Sequence, residues 1–260
     1  MTGRDFNSFR TDKPGSGIKL DCTVESSTLV VSFAAIPGQT GKSEFAFVRL
    51  LSDLPVKKAW FHDPHVRLYH CGVPGVGDTA DEIVSFIRQL RSRENIRRVI
   101  MLGNSTGGYA AILFGILAGA DDVHAISPCT RFTDYADVQE SNNLDIMTEV
   151  AGRGSVRLDL RALHEQKSNG TTSINIYYAH GNSMDRRHAL HMQGLTGVRL
   201  FRYPFGGHTL AHYLAKTHCL RQVLEASIAG EQARLRKSPT GALAGHGFRA
   251  RSLYSLPAIC

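Results

Sequence analysis

The run Arg97-Arg98-Val99-Ile100-Met101-Leu102 passes directly into Gly103-Asn104-Ser105-Thr106-Gly107-Gly108, and the apolar stretch Tyr109 to Ala118 follows at once. A β-rich run, a turn of small residues and a helical pattern with nothing between them leave few folds open. The strand must be buried on both faces, because its apolar character is continuous rather than alternating. The turn must be sharp, and a residue at its apex is held in strained backbone geometry with nothing large tolerated two positions to either side. Gly103 and Gly107 occupy those two positions around Ser105. The serine hydroxyl is thereby lifted off the sheet edge, at the start of a helix whose dipole favours developing negative charge.

The rest of the chain repeats this alternation. Strands are expected at 18–24, 28–35, 57–62, 66–70, 97–103, 122–127, 173–179 and 197–203, and helices at 78–93 with Asp78 as N-cap, at 106–117, and at 210–230 closed by Gly230. Strands alternating with helical segments indicate an α/β fold built on a mainly parallel, doubly wound sheet. A length of 260 residues suits one such domain. The first 17 residues read as a flexible lead-in and 18–230 as the domain. Residues 131–172 are polar and irregular, with short helices near 142–151 and 158–167, where a small cap-like insertion would sit. Residues 231–260 form a basic, weakly ordered tail, with five basic residues against one acid. That tail holds most of the net charge of +7, and a solvated extension accounts for it without a nucleic-acid partner.

Other classes are excluded by the residues themselves. The five cysteines are scattered and never in C-x-x-C spacing, so neither a disulfide framework nor a structural zinc site is expected. No window approaches the roughly 18 apolar residues of a membrane span, and the polar start MTGRDFNSFRTDKPGSG has no apolar core for a signal peptide, so the protein reads as cytoplasmic. Ile36-Pro37-Gly38-Gln39-Thr40-Gly41-Lys42-Ser43 imitates a phosphate loop but carries isoleucine where the pattern needs its first glycine. Gly72-Val73-Pro74-Gly75-Val76-Gly77 lacks dinucleotide-binding spacing. His62, Asp63 and His65 have no second cluster to complete a metal shell.

With its strand, turn and helix in place, the G-N-S-T-G elbow resembles that of the α/β-hydrolases, over about residues 28–225. Together with Trp60-Phe61-His62-Asp63-Pro64 and Tyr69-His70-Cys71-Gly72-Val73-Pro74-Gly75, it more loosely resembles small bacterial members that accompany glycan-assembly genes. The resemblance implies Ser105 as nucleophile, an acid after the second strand past the elbow and a histidine after the third. Asp185 and His208 stand at those places. His180, His188, His191, His212 and His218 are competing bases, and Asp134 and Asp137 competing acids. The oxyanion would be held by the backbone N–H of Thr106 and by that of Ala34 or Ala35, although the usual HG-type signature is absent. The activity implied is cleavage of a carboxylic ester or thioester through an acyl-serine, without metal or other cofactor, on a small-molecule or glycan acyl ester. An acyltransferase on the same scaffold and a non-catalytic binding protein that keeps the fold are the alternatives.

Overall fold

The computed structural model describes residues 15–35, 45–132, 157–167 and 170–235. The chain divides into two compact units, Met1–Ala211 and His212–Cys260. The first holds one sheet of seven strands: β1 (Ile18–Asp21), β2 (Thr28–Phe33), β3 (Lys57–Phe61), β4 (Arg98–Asn104), β5 (Asp122–Ile126), β6 (Ser173–Ala179) and β7 (Val198–Tyr203). Their spatial order is β1-β3-β2-β4-β5-β6-β7. Only β1 runs antiparallel to its neighbour; the other pairings are all parallel. This is the mainly parallel α/β architecture expected.

Among the described residues the helices are α1 (Val48–Leu51), α2 (Ala80–Arg93), α3 (Thr106–Ala118), α4 (Leu160–Lys167), α5 (Ser183–His191), α6 (Leu210–Lys216) and α7 (Cys219–Leu235). Every residue of β2 and β5 is buried, so the central sheet is covered on both faces. One face carries Leu29, Val31, Phe33, Val99, Met101, Val123, Ala125, Ile174 and Ile176 in a core shared with Ile83, Phe86 and Ile87 of α2 and the buried length of α3. Gly115 of α3 lets the helix settle on β5: a Cβ there would lie 2.4 Å from Val123 Cγ2.

The strand order reverses between β2 and β4, whose carboxyl ends lie side by side with Phe33 opposite Gly103. In an open α/β sheet the crevice at such a reversal is where ligands bind. The elbow leaves β4 there, and the Ala34–Ala35 segment leaves β2 beside it.

Four sequence expectations need correction. Residues 66–70 are not a strand but a tight loop in which Val66, Leu68 and Tyr69 adopt positive φ of 54°, 55° and 64°. The N-cap of α2 is Thr79, not Asp78: the Glu82 N–H donates to Thr79 Oγ1, and Glu82 Oε2 reaches back to accept the Asp78 N–H. The long C-terminal helix is two helices, and the second is not closed by Gly230 but runs on to Leu235. Thr217 Oγ1 donates back to the Tyr213 carbonyl and His218 turns to φ 62°, which ends α6. Helix α5 went unread, since its residues (Ser183-Met184-Asp185-Arg186-Arg187-His188-Ala189-Leu190-His191) show almost no apolar stripe.

The described residues on either side of 133–156 lie side by side. Phe132 N–H donates to the Leu158 carbonyl, Leu160 N–H to the Thr130 carbonyl, and Tyr109 Oη to the Arg157 carbonyl. The expected helix near 142–151 lies outside the described residues.

Arg98 of β4 and Asp122 of β5 form a buried ion pair within the sheet, each less than 5% exposed. Asp122→Ala leaves the guanidinium buried without a counter-charge. It should cost about 3–5 kcal/mol, read as a lower urea midpoint, whereas replacing both partners by apolar residues should cost far less.

Candidate active site

Ser105 sits between β4 and α3 with φ 54° and ψ −122°, a conformation that non-glycine residues adopt only under constraint. Three contacts impose it. The Ser105 N–H donates to the Ile126 carbonyl at the end of β5. A Cβ at Gly103 would come within 2.0 Å of the Gly107 carbonyl oxygen, so strand and helix close on each other through that glycine. A Cβ at Gly107 would come within 2.3 Å of the Phe33 carbonyl oxygen, so the helix start also closes on β2. The two glycines beside the serine are therefore points of backbone contact, and Ser105 itself is left half-buried.

Asp185 lies in the first turn of α5, just past the end of β6. The Asn182 side chain caps that helix by accepting the Asp185 N–H at 2.9 Å. The carboxylate is 1% exposed. Its Oδ1 is 2.7 Å from His208 Nδ1, and its Oδ2 is buried without a partner among the described residues. His208 is carried on a single 3-10 turn (Gly207–Thr209) after β7, entered through Gly206 at φ 96° and Gly207 at φ 52°. That left-handed pair is where glycine is required: it turns the chain back so that the imidazole faces β4. His208 Nε2 is 3.1 Å from Ser105 Oγ.

Ser105, His208 and Asp185 thus form one hydrogen-bonded line just past the ends of β4, β7 and β6. The bond to Asp185 raises the His208 pKa above the ordinary histidine value, against the opposing effect of burial. With Nδ1–H donated to the carboxylate, Nε2 of the neutral ring is the acceptor that faces the serine hydroxyl.

The competing histidines are placed elsewhere. His188 is buried, with Nδ1 accepting the Thr130 N–H. His191 pairs with Asp159 at 2.9 Å. His180 is exposed at the end of β6, its N–H bound to the Tyr203 carbonyl. His212 and His218 are exposed, in α6 and at its break. Asp134 and Asp137 lie outside the described residues. Asp63 accepts three backbone N–H groups; among the described residues no cluster of three or more His, Cys, Asp or Glu could hold a metal.

Thr106 opens α3, where the first N–H groups of a helix point out of its end. Of the two alanines, Ala34 must be set aside: its N–H donates to the Phe61 carbonyl at 2.9 Å, extending the sheet ladder. Ala35 has no hydrogen-bond partner among the described residues, and the peptide that carries its N–H lies against Gly107, with Ala34 C 3.0 Å from where a Gly107 Cβ would stand. What sequence reading missed is the Asn182 cap. Asn182 three residues before Asp185 is a helix-start signal, and it places the acid on a rigid element instead of a loop.

No protein-family model and no curated protein matches the sequence. Solved structures do match the fold. The capsule O-acetyltransferase of Neisseria meningitidis serogroup A is 14% identical, covering 85% of this chain and 97% of that one at a TM-score of 0.61. A mutant of it in complex with CoA also scores 0.61, at 13% identity over 80% of this chain and 92% of that one. A fluorophosphonate-binding serine hydrolase of Staphylococcus aureus is 14% identical, covering 86% and 89% at 0.54. An α/β hydrolase from the sediment metagenome of the Mar Chica lagoon, Morocco, is 16% identical, covering 87% and 98% at 0.54. The chain has the α/β-hydrolase fold. Among the described residues no helix is long and apolar enough to cross a membrane.

The elbow contacts predict unequal costs for two glycine substitutions. Gly103→Ala should destabilise by about 1–3 kcal/mol through backbone overlap. Gly181→Ala, where a Cβ meets nothing within 4 Å, should be neutral or slightly stabilising. Paired urea titrations of the two variants check the ranking.

Proposed function

We propose that the protein is a serine-dependent acyl-ester hydrolase that works through an acyl-serine at Ser105. The observation that carries the reading is the unbroken Ser105–His208–Asp185 line, 3.1 Å and 2.7 Å between the interacting atoms. A serine hydroxyl becomes an effective nucleophile only when a base removes its proton, and His208 is within reach to do so.

Ser105 Oγ attacks the ester or thioester carbonyl carbon as its proton passes to His208 Nε2. Asp185 holds the imidazole in the tautomer that leaves Nε2 free to accept, and it stabilises the imidazolium that results. The tetrahedral oxyanion lies against the Thr106 N–H and the Ala35 N–H. Collapse expels the alcohol or thiol, which takes the proton from His208, and leaves the acyl group on Ser105. Water, deprotonated by the same histidine, then attacks the acyl-serine and releases the acid. No metal or cofactor enters these steps.

One observation favours a second reading, acyl transfer. The capsule O-acetyltransferase matches this fold at TM-scores of 0.61–0.63, above the 0.54 of the hydrolases named. The same residues would serve if a sugar hydroxyl took the place of water in the second half-reaction, with an acyl thioester such as acetyl-CoA as donor. Hydrolysis of p-nitrophenyl esters and acetylated sugars, measured with and without glycan acceptors, separates the two: the hydrolase reading requires acid release unaffected by acceptor, the transferase reading an acylated acceptor.

Wild-type protein should be labelled by a fluorophosphonate, and Ser105→Ala should lose that labelling along with turnover. Equal labelling of the two proteins would sink the acyl-serine reading.

The histidine must be neutral to accept the serine proton, and its raised pKa delays that state to higher pH. The acid limb of kcat/KM should therefore lie above about 6.5, the ordinary histidine value. In Asp185→Asn that limb should move to lower pH as kcat falls about 10³–10⁴-fold. The stability linkage has the same origin: the charged His208–Asp185 pair stabilises the fold at pH below the unfolded histidine value, and that contribution is lost as pH rises through the raised one.

A further inference from the structure

The loop that was expected to be a strand, residues 66–70, is organised around one buried carboxylate. Asp63 is 6% exposed. Its Oδ1 accepts the His65 N–H at 3.1 Å, and its Oδ2 accepts the Arg67 N–H at 2.7 Å and the Tyr69 N–H at 2.8 Å. Three of the four residues Val66, Arg67, Leu68 and Tyr69 are held at positive φ. Left-handed backbone is disfavoured for any non-glycine residue, and for a β-branched residue such as Val66 it is a genuine outlier. Such strain persists only where the surroundings over-determine it, and it collects near functional sites.

The strained loop places the Tyr69 ring, which is 2% exposed, edge-on to Phe33 and Phe114. Its hydroxyl lies 2.8 Å from the Ala34 carbonyl oxygen and 3.1 Å from that of Phe61. Both acceptors are carbonyls, so the hydroxyl must donate. Burial raises the phenol pKa well above its ordinary value, which keeps the proton in place.

The Ala34 residue is thus gripped from both sides. Its N–H is bound by the Phe61 carbonyl and its C=O by Tyr69. No peptide bond in the described chain is cis. In a trans peptide the N–H points opposite to the C=O, so holding the Ala34 carbonyl toward Tyr69 turns the Ala35 N–H away from the core, on the side of the half-exposed Ala35. The same peptide abuts Gly107, two residues past Ser105.

We propose that Tyr69 is a positioning residue for the reaction at Ser105: its buried hydroxyl fixes the Ala34–Ala35 peptide so that the Ala35 N–H stands as the second oxyanion donor beside that of Thr106. The proposal rests on the acyl-serine reading above. Tyr69 touches neither substrate nor nucleophile; it acts by preventing rotation of one peptide plane. Asp63 supports it by holding the loop that delivers the ring. The effect belongs in the transition state, where the oxyanion carries its charge, and not in substrate binding.

The test uses full-length protein and p-nitrophenyl acetate, with rates normalised to sites titrated by fluorophosphonate so that unfolded protein does not count. Tyr69→Phe should lower kcat per titrated site about tenfold or more with KM within about twofold, and weaken inhibition by a phenylboronic acid, which forms a tetrahedral anion on the serine, by a similar factor. Removing the donor outright in Ala35→Pro should cost about 10²–10³ in kcat. The double variant should be no slower than Ala35→Pro alone, because Tyr69 then has no N–H left to orient. Multiplicative losses in the double variant, or kcat per site within threefold of wild type in Tyr69→Phe, would overturn the proposal.

Should Tyr69→Phe fail to fold, the wild-type protein decides: the boronic acid should shift the Ala35 amide resonance downfield, and an unmoved Ala35 resonance overturns the assignment. Wild-type protein that takes no fluorophosphonate label overturns the acyl-serine reading and this inference with it. Labelled wild type with an unimpaired Tyr69→Phe overturns this inference alone.

Discussion

Two backbone segments meet at Gly103 and Gly107 at a distance that leaves no room for a Cβ on either glycine. Almost everything functional about the chain depends on that contact. It makes the turn from β4 into α3 so tight that the residue between them is driven to φ 54°, and it brings the first turn of α3 against the end of β2. The serine is presented where the strand order reverses between β2 and β4, the position at which open α/β sheets bind ligands. Without the double contact the same sequence could still pair β4 with β2 and β5. It would then present Ser105 as an ordinary, unstrained helix cap.

The groups gathered around that serine come from different kinds of support. Asp185 stands on a capped helix and is almost completely buried, so its charge is little screened by water and acts strongly on the nearest donor. His208 stands on a one-turn loop entered through two left-handed glycines, and it is far more exposed than Asp185. The carboxylate is thus held inside the fold while the imidazole it binds reaches solvent on one side.

The segment after β2 shows how the peptide group that would face a developing oxyanion can be held without side chains of its own. Ala34 and Ala35 have nothing beyond Cβ to anchor them. Their orientation is set instead by the sheet ladder on one side and by a phenol reaching through the core on the other. The cost is a loop carrying three left-handed residues, offset by three hydrogen bonds to Asp63, which are of the charge-assisted kind and about twice as strong as neutral ones.

Much of this was legible in the sequence because it is local. Apolar runs of strand length, a turn flanked by glycines and a helical stretch directly after it are decided by neighbours along the chain. The order of Ser105, Asp185 and His208 relative to the strands is also a property of the chain alone. The misreadings share a cause. Residues 66–70 have the composition of a strand, yet Asp63 claims their N–H groups and bends them round itself. Helix α5 has no apolar stripe and is specified by the Asn182 cap and by its packing on β6. What the sequence by itself determined was the fold class, the elbow and the order of Ser105, Asp185 and His208 relative to the strands. Only the tertiary structure decided that Ala34 spends its N–H in the sheet, that Tyr69 reaches the Ala34 carbonyl, and that His208 comes within 3.1 Å of Ser105. Those outcomes depend on hydrogen bonds between residues 27 to 103 positions apart, and no local pattern encodes which distant carbonyl a buried donor will find.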